Sequence, residues 1–190
     1  MPSDPQAGSA PPSARRTELL EAAYGYVLRH GLAAMSLRPL AEAVGSSPRV
    51  LLFLFGSKDG LVRALLGRSR LAELELLDEV RAGGGDAAEA VMRLWGFLAA
   101  PEHRGLLRLW AEGYGRSLVE PDGPWGGFAV EGVHDWLALL GGLAGGGDAA
   151  VLATALLAAL RGGLLDLLAT GDAERTTAAV RMQVDAVLRA

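Results

Sequence analysis

The sequence predicts an all-α protein in which a small three-helix unit precedes a larger helical domain. About half of the 190 residues (51%) are hydrophobic, which is enough apolar surface for a sizeable core. Along most of the chain these residues recur every three or four positions, as they do on one face of an α-helix. No stretch alternates apolar and polar residues in the way that a half-buried strand does. We therefore expect helices packed on helices, without a sheet.

The composition excludes several classes of protein. The chain has no cysteine and three scattered histidines, so it offers no disulfide framework, thiolate metal site or histidine cluster. Because it also lacks a catalytic triad, a phosphate-binding loop and a metal motif, we expect neither an enzyme nor a cofactor. Residues 1–14 are rich in Pro, Ser and Ala and predict a disordered tail rather than a secretory signal. Charge or glycine interrupts the apolar runs before they reach membrane-spanning length, so a soluble, cytoplasmic protein is expected.

Charge is distributed unevenly along the chain. Residues 1–70 carry nine Lys and Arg against five Asp and Glu, a net charge of +4, whereas residues 71–190 carry a net charge of −8. A basic N-terminal unit on an acidic body is suited to meeting a polyanion through that unit alone. Chance variation of the surface would give the same asymmetry, so motifs have to decide between the two interpretations.

The first two helices are marked by their ends. The first covers ARRTELLEAAYGYVLRH and ends at Gly31, because glycine readily adopts the left-handed conformation found after a helix C-terminus. Ser36 is placed to cap a second, short helix, LRPLAEA. Gly45 then allows a tight turn.

The third helix starts from the segment SSPRVLLFLFGSK, whose apolar run also resembles a buried strand. Ser47 as the N-cap and Pro48 as the first helical residue favour a helix instead, which ends at Gly56. Ser57 caps the long fourth helix that follows. Two short helices joined by a glycine turn form a helix-turn-helix, whose second helix enters the major groove of DNA. Helical spacing places Leu51, Leu54 and Phe55 on the core side of the third helix, and Arg49, Leu52 and Phe53 on the opposite side.

The remainder of the chain is predicted to be helical, with breaks at two glycine triplets, Gly83 to Gly85 and Gly145 to Gly147. Asp148 and Asp172 are placed to cap the last two helices. Both of these helices are rich in Leu, Ala and Val.

The N-terminal residues carry a family resemblance. The layout RTELLEAAYGYVLRHGLAAMSLRPLAEAVGSSPRVLLFLFGSKDGL resembles the DNA-binding domain of the tetracycline-repressor (TetR) family of bacterial regulators. The matching features are the LLEAA helix, the run MSLRPLAEAVG and the FGSKDGL that follows the recognition helix. The resemblance covers about residues 15–62, while the rest of the chain is similar in length and helical layout. It implies a helix-turn-helix DNA-binding domain over residues 15–60 and a helical ligand-binding and dimerisation domain over residues 61–190.

The resemblance also implies a function. A homodimer would bind a palindromic operator in double-stranded DNA as a repressor and would be released by a small, apolar effector molecule. The family pattern usually has Tyr and His near the end of the recognition helix, where this chain has Leu52 and Leu54. This departure keeps open the alternative of a dimeric small-molecule-binding protein whose DNA-binding head is degenerate.

The candidate DNA-binding residues follow from the helix-turn-helix. Arg49 can bridge two acceptors of guanine, and Leu52 and Phe53 either cover thymine methyl groups or pack against neighbouring helices. Lys58, the chain's single lysine, fits a phosphate contact at a helix start. The remaining candidates are Arg15 and Arg16, which leave the tail, and Ser36, Arg38, Ser46, Ser47 and Pro48.

Aromatic side chains concentrated in the middle of the second domain predict a ligand pocket, although core packing is the more common role of such residues. The candidates are Trp95, Phe97, Trp110, Tyr114, Trp125 and Trp136. Arg161 either anchors an acidic ligand or pairs with an acid across a dimer. The predicted dimer interface consists of Leu156, Leu160, Leu164, Leu168, Val180 and Val184.

Overall fold

A computed structural model describes residues 12–33, 35–145 and 148–189, and within these residues the protein is all-α, as predicted. A single 3₁₀ turn, Pro101–His103, precedes the sixth α-helix. The helices are α1 Pro12–His30, α2 Leu37–Ala43, α3 Pro48–Phe55, α4 Lys58–Ala82, α5 Ala87–Ala99, α6 Arg104–Val119, α7 Phe128–Ala144, α8 Ala149–Thr170 and α9 Ala173–Leu188.

The helix-turn-helix has the predicted bounds. Gly45, in the turn between α2 and α3, has a φ of +64°, a value that residues with a side chain rarely adopt. Helix α3 begins at Pro48, and the Ser47 hydroxyl caps it by accepting a hydrogen bond from the backbone N–H of Val50. Gly56 ends the helix with a φ of +79°. The segment VLLFLF is therefore helical.

Helix α1 starts earlier than predicted. The expected tail covers residues 1–14, of which residues 1–11 lie outside the described residues. Residues 12–14 are helical, which corrects the predicted boundary. Proline is favoured in the first helical turn because its missing N–H has no partner there anyway, and the Ala-Arg-Arg run that follows has high helix propensity.

Only some of the predicted side-chain caps form. The hydroxyl of Ser57 accepts from the N–H of Gly60, and a carboxylate oxygen of Asp172 accepts from the N–H of Arg175. Ser36 and Asp148 occupy N-cap positions, but neither side chain accepts such a bond. Asp148 has φ −100° and ψ 17°, outside the extended conformation that normally aims an N-cap side chain at the helix.

Two hydrophobic cores are joined by α4. The first half of α4 contributes Leu61 and Leu65 to a core shared with α1, α2 and α3, which also includes Leu109 of α6. Its second half contributes Leu76 and Leu77 to the core of the larger domain, with α5, α7, α8 and α9. Helix α4 therefore belongs to both the head (α1 to α3 with the start of α4) and the body (the rest of the chain).

The length and composition of α8 would allow it to cross a membrane, contrary to the expectation that no apolar run is long enough. In the structure it is the central helix of the body, with seven buried residues and packing against both α7 and α9. Its hydrophobicity therefore has an explanation in the core of this domain.

Most of the residues predicted to form the dimer interface lie inside the single chain rather than on its surface. Leu168 is partly buried against the body core, and the other five predicted residues are buried inside the single chain, which corrects their assignment. Helical periodicity identifies an apolar stripe but does not say which neighbour covers it. The five that belong to the monomer core are Leu156, Leu160, Leu164, Val180 and Val184.

The two serine positions allow a matched test of capping. We expect Ser57→Ala to destabilise the protein by about 1 kcal/mol, because it removes an acceptor from the start of α4. Ser36→Ala should change the free energy of unfolding by much less, since Ser36 makes no cap bond. Urea titrations of both variants measure the difference. Equal losses in the two variants would contradict the assigned caps.

Candidate DNA-binding surface and candidate ligand cavity

The solvent face of α3 carries one charge between apolar side chains. Arg49 is exposed, Leu52 is 38% exposed and Phe53 is 81% exposed. Leu51 and Phe55 are buried against the other helices of the head. The sequence left open whether Leu52 and Phe53 contact DNA or pack against neighbouring helices. The exposure of Phe53 excludes packing against a neighbouring helix for that residue.

Three cations of the head are available to a partner. Arg38, Arg49 and Lys58 are exposed, and none of them has an ion-pair or hydrogen-bond partner within the described part of the chain. Many arginines elsewhere are engaged, for example Arg175 with Asp166. The head therefore presents positive charge that the described residues do not neutralise.

Arg15 and Arg16 lie in α1, within the helix predicted from ARRTELLEAAYGYVLRH. Arg15 forms an ion pair with Glu18 at 2.8 Å, one helical turn away. The Arg16 guanidinium lies over the ring of Phe55, 5.0 Å from its centroid. Arg16 thus packs on the end of the recognition helix, which limits its reach toward a partner.

The small polar candidates lie at the turn and at helix starts. Ser46 is half-buried in the turn before α3, and Ser36 is exposed at the start of α2. Ser47 is exposed, but its hydroxyl already caps α3, and Pro48 is the first residue of that helix. Backbone N–H groups at a helix start can donate to a phosphate.

Helix α6 holds the head to the body. The Glu112 carboxylate accepts hydrogen bonds from the backbone N–H groups of Leu32 (2.7 Å) and Ala33 (3.1 Å), directly after α1. Gly105 permits close approach of the two helices, since a Cβ at that position would lie 2.3 Å from the carbonyl oxygen of Leu28. These contacts tie α6 to α1 and to the segment that follows it.

A cavity lies in the body between α4, α5, α6, α7 and α8. Six leucines and three aromatic side chains form most of its wall, and its polar groups come from Ser69, Glu73 and Arg161. The space open to the centres of water-sized molecules is about 40 Å³. At about 10–15 Å³ for each water centre, this corresponds to roughly three waters, so a larger molecule would have to move the walls apart.

Arg161 faces the cavity of its own chain. Its Nη1 donates a hydrogen bond to the Tyr114 hydroxyl at 3.0 Å, and the guanidinium lies 4.7 Å from the centroid of the Tyr114 ring. It also lies 6.0 Å from the ring centroid of Trp110. Burial lowers the pKa of Arg161, but an arginine remains charged at neutral pH. These contacts within its own chain favour a role at the cavity over pairing with an acid across a dimer.

Glu73 is the acidic group of the cavity. It accepts a hydrogen bond from the indole Nε1 of Trp136. Burial raises the pKa of Glu73 above its ordinary value, while the Trp136 hydrogen bond and the charge of Arg161 act against that rise. Asp135 adds to the rise and Arg70 opposes it. Sequence reasoning missed Glu73, although a carboxylate on the buried stripe of α4 is a signal.

Only part of the predicted aromatic set surrounds the cavity. Trp110 and Trp136 line the cavity, and Tyr114 accepts a hydrogen bond from Arg161. Trp95 is buried in the body core with its Nε1 bonded to Thr177, so its ring fills space rather than bordering it. Trp125 is buried in the head core, and Phe97 is partly exposed and stacked on His103. These last three assignments to the cavity are corrected. Among the described residues, no group of three acidic or histidine side chains is arranged to hold a metal ion.

An all-helical chain with an N-terminal helix-turn-helix and a larger helical body has the architecture of a class of transcriptional regulators. Residues 19–65 match the family model of bacterial regulatory proteins of the tetR family. The resemblance seen in the sequence is thereby confirmed over residues 19–65. No curated protein matches this chain in sequence.

Solved structures extend the similarity to the whole chain. A transcriptional regulator from Rhodococcus sp. Rha1 superposes with a TM-score of 0.79 at 22% identity, covering 92% of this chain and 96% of that one. A TetR-family regulator from Cytophaga hutchinsonii gives a TM-score of 0.78 at 16% identity over 95% of this chain and 96% of that one. A regulator from Saccharomonospora viridis, solved in complex with choline, gives 0.75 at 22% identity over 93% and 96%. This chain thus has the fold of TetR-family transcriptional regulators.

Because the pKa of Glu73 is raised in the folded protein, we expect the free energy of unfolding to depend on pH. Between the ordinary carboxyl pKa, about 4.3, and the raised folded value, the unfolded chain releases this proton before the folded chain does. The stability of the wild type should therefore fall, relative to Glu73→Gln, as pH rises through that window, and the difference should then level off. Thermal melting of both proteins across the acidic range measures this trend. Glu75→Gln, at an exposed position on the same helix, is the matched control. A difference that grows in favour of the wild type with rising pH would show that the sign is wrong.

Proposed function

We propose that the protein is a ligand-responsive transcriptional repressor that works in the cytoplasm as a homodimer on a palindromic DNA operator. The observation that carries this proposal is the solvent face of α3, where Arg49 and Phe53 project from the recognition helix of a TetR-type head. The unpartnered cations Arg38 and Lys58 on the same head support it, because phosphate contacts supply much of the affinity for DNA.

The residues of the head divide into those suited to contact bases and those suited to contact phosphates. Arg49 is suited to donate to O6 and N7 of a guanine, and Phe53 and Leu52 are suited to cover thymine methyl groups in the major groove. Lys58 and Arg38 would bind phosphates and fix the position of the head, without reading sequence. A helix with so few donors reads few base edges, so DNA shape would contribute to specificity.

The exposed stripe of α8 supports dimerisation. Val151 is 68% exposed and Leu165 is 51% exposed, and between them lie the exposed small residues Thr154, Ala158 and Gly162 on the same face. Small side chains at this spacing let two helices approach closely, and an uncovered apolar stripe favours association. On α9, the exposed Met182 adds a second apolar residue to the outer surface.

The cavity supports release by a small molecule. Its walls include α4 and α6, the helices that hold the head through its core and through Glu112. Because the cavity is small, an effector that enters it would shift these walls and favour a different arrangement of the two heads. The choline complex of the Saccharomonospora regulator supports a small-molecule site in a protein of this fold.

One observation favours the alternative of a small-molecule-binding protein with a degenerate head. The exposed face of α3 is mostly apolar, and Leu52 and Leu54 replace the Tyr and His usual for the family. Both functions share the cavity and the dimer, so only DNA binding separates them.

Two substitutions test DNA binding, one at the proposed base-reading residue and one at a proposed phosphate contact. On a palindromic fragment from the protein's own promoter, Arg49→Ala should cost about 1–3 kcal/mol and relax base preference at one position of each half-site. Lys58→Ala should weaken all sequences alike and reduce the salt slope by about one. Fluorescence anisotropy at several salt concentrations measures both effects. Arg81→Ala, near the far end of α4, is the control and should bind as the wild type does.

The result that would overturn the repressor assignment is specific. If the folded, dimeric wild type binds neither this fragment nor mixed-sequence DNA at low salt, the protein is a small-molecule-binding protein with a degenerate head. If Arg49→Ala binds the operator as tightly as the wild type does, the reading face has been assigned incorrectly.

The dimer surface is tested by placing a charge on the exposed stripe. Ala158→Glu and Leu165→Glu should each give a folded monomer, because each buries a carboxylate against apolar side chains of the second copy. Light scattering coupled to size exclusion measures the mass, and circular dichroism checks the fold. Val119→Glu, at a 79% exposed position on α6, is the matched control and should remain dimeric. A dimer that persists in both stripe variants would exclude this interface.

A further inference from the structure

Helix α3 carries almost no side chains that form hydrogen bonds. Within its sequence, PRVLLFLF, Arg49 alone has a side chain that donates. The Ser47 hydroxyl directly before the helix accepts from the N–H of Val50, so it is already engaged in capping. A partner on the solvent side of α3 is therefore recognised by one guanidinium and by apolar surface.

Phe53 is the most exposed large apolar residue among those described. Its exposed fraction is 81%, against 38% for both Val50 and Leu52. At about 100° per residue, Phe53 lies about 40° around the helix axis from Arg49, with Val50 and Leu52 on either side of this pair. Arg49 and Phe53 thus occupy the middle of the exposed half of α3, opposite the buried Leu51.

The charges of the head fit DNA as the partner of this apolar surface. Arg38 and Lys58 are exposed in the same head and have no ion-pair or hydrogen-bond partner among the described residues. A partner that combines phosphates with an apolar group complements such a head. In the major groove of DNA, the apolar group at the base edges is the methyl at C5 of thymine.

A phenyl ring recognises the methyl group and not the base that carries it. In the major groove, thymine presents an acceptor at C4 and a methyl at C5, whereas cytosine presents a donor at C4 and no methyl. Phe53 has no donor or acceptor with which to distinguish the two groups at C4. Because 5-methylcytosine carries its methyl at the same place as thymine does, the two bases are equivalent for Phe53, and unmethylated cytosine is not.

We propose that Phe53 makes the protein a reader of C5-methyl groups on pyrimidines, so that methylation of a cytosine in contact with Phe53 raises the affinity for the operator. Arg49 and Phe53 are separated by about 6 Å along the helix axis and base pairs by about 3.4 Å, so a helix along the groove places the methyl within about two base pairs of the guanine bound by Arg49. A methylated cytosine next to a guanine satisfies both residues. This inference rests on the proposed DNA binding and adds a dependence on DNA methylation.

Four forms of one DNA fragment test the dependence on methyl groups. The fragment from the protein's own promoter is amplified with thymine or uracil and with cytosine or 5-methylcytosine, because the bases of each pair differ only by the C5 methyl. Burying one methyl changes the affinity by about fourfold, and by about fifteenfold when both heads of a dimer bury one. By fluorescence anisotropy, we expect uracil to weaken binding by this factor or 5-methylcytosine to strengthen it, according to which pyrimidine the operator has opposite Phe53.

Synthetic duplexes then separate the methyl from the base. At the pyrimidine whose methyl matters, both half-sites carry thymine, uracil, 5-methylcytosine or cytosine, and affinities are measured at low salt so that weak binding stays within range. The thymine-to-uracil ratio and the 5-methylcytosine-to-cytosine ratio should be equal, at about fifteenfold. In Phe53→Ala both ratios should fall close to one, and circular dichroism checks the fold. Leu71→Ala, at a 57% exposed apolar position on α4, is the matched control and should retain both ratios.

Three results would overturn the assignment of Phe53. The wild type binds all four forms of the fragment alike, or the thymine-to-uracil ratio has no counterpart between 5-methylcytosine and cytosine. In the third case both ratios persist in Phe53→Ala, which means that the methyl acts through the shape of the DNA or through another residue. A protein that binds the fragment without a methyl effect keeps the proposed repressor function, whereas one that binds no DNA loses both.

Discussion

The structure depends on α4 being one continuous helix with its two ends in two different cores. Leu61 and Leu65 at its start are fixed in the head, and Leu76 and Leu77 further along are fixed in the body. Because close-packed interiors do not deform gradually, a shift of this helix in the body has to be accommodated in the head. Glu73 lies between these two anchored segments and faces the cavity, so the helix connects the candidate ligand site to the candidate DNA surface.

Helix α6 provides the second connection, and it is polar. The Glu112 carboxylate holds two backbone N–H groups that follow α1, and hydrogen bonds of this kind, with a charged acceptor, are stronger than neutral ones. The same helix borders the cavity through Trp110 and positions Tyr114 against Arg161. A change at the cavity therefore has two routes to the head, one through packed side chains and one through a carboxylate.

The two candidate sites use charge in opposite ways. The head leaves Arg38, Arg49 and Lys58 exposed, with no partners among the described residues, which suits a strongly charged polyanion. The cavity holds Glu73 and Arg161 in an apolar wall where water is scarce, which makes each of them far more sensitive to what lies opposite. The acidic net charge of residues 71–190 disfavours contact between a polyanion and the body.

The sequence by itself determined the elements whose signals are local. Capping serines, Pro48 and the glycines at positive φ mark the helix-turn-helix, because each acts on the backbone within a few residues of itself. A capping serine satisfies a free N–H, and glycine adopts a φ that other residues rarely reach. The tertiary structure alone decided which neighbour each apolar stripe meets. Leu156 and Val184 have the pattern of an interface and lie in the core, while Trp95 has the character of a pocket residue and fills the interior. Only the fold brings Glu73 of α4 and Arg161 of α8 to one cavity, since their meeting depends on how distant helices pack rather than on any local sequence signal.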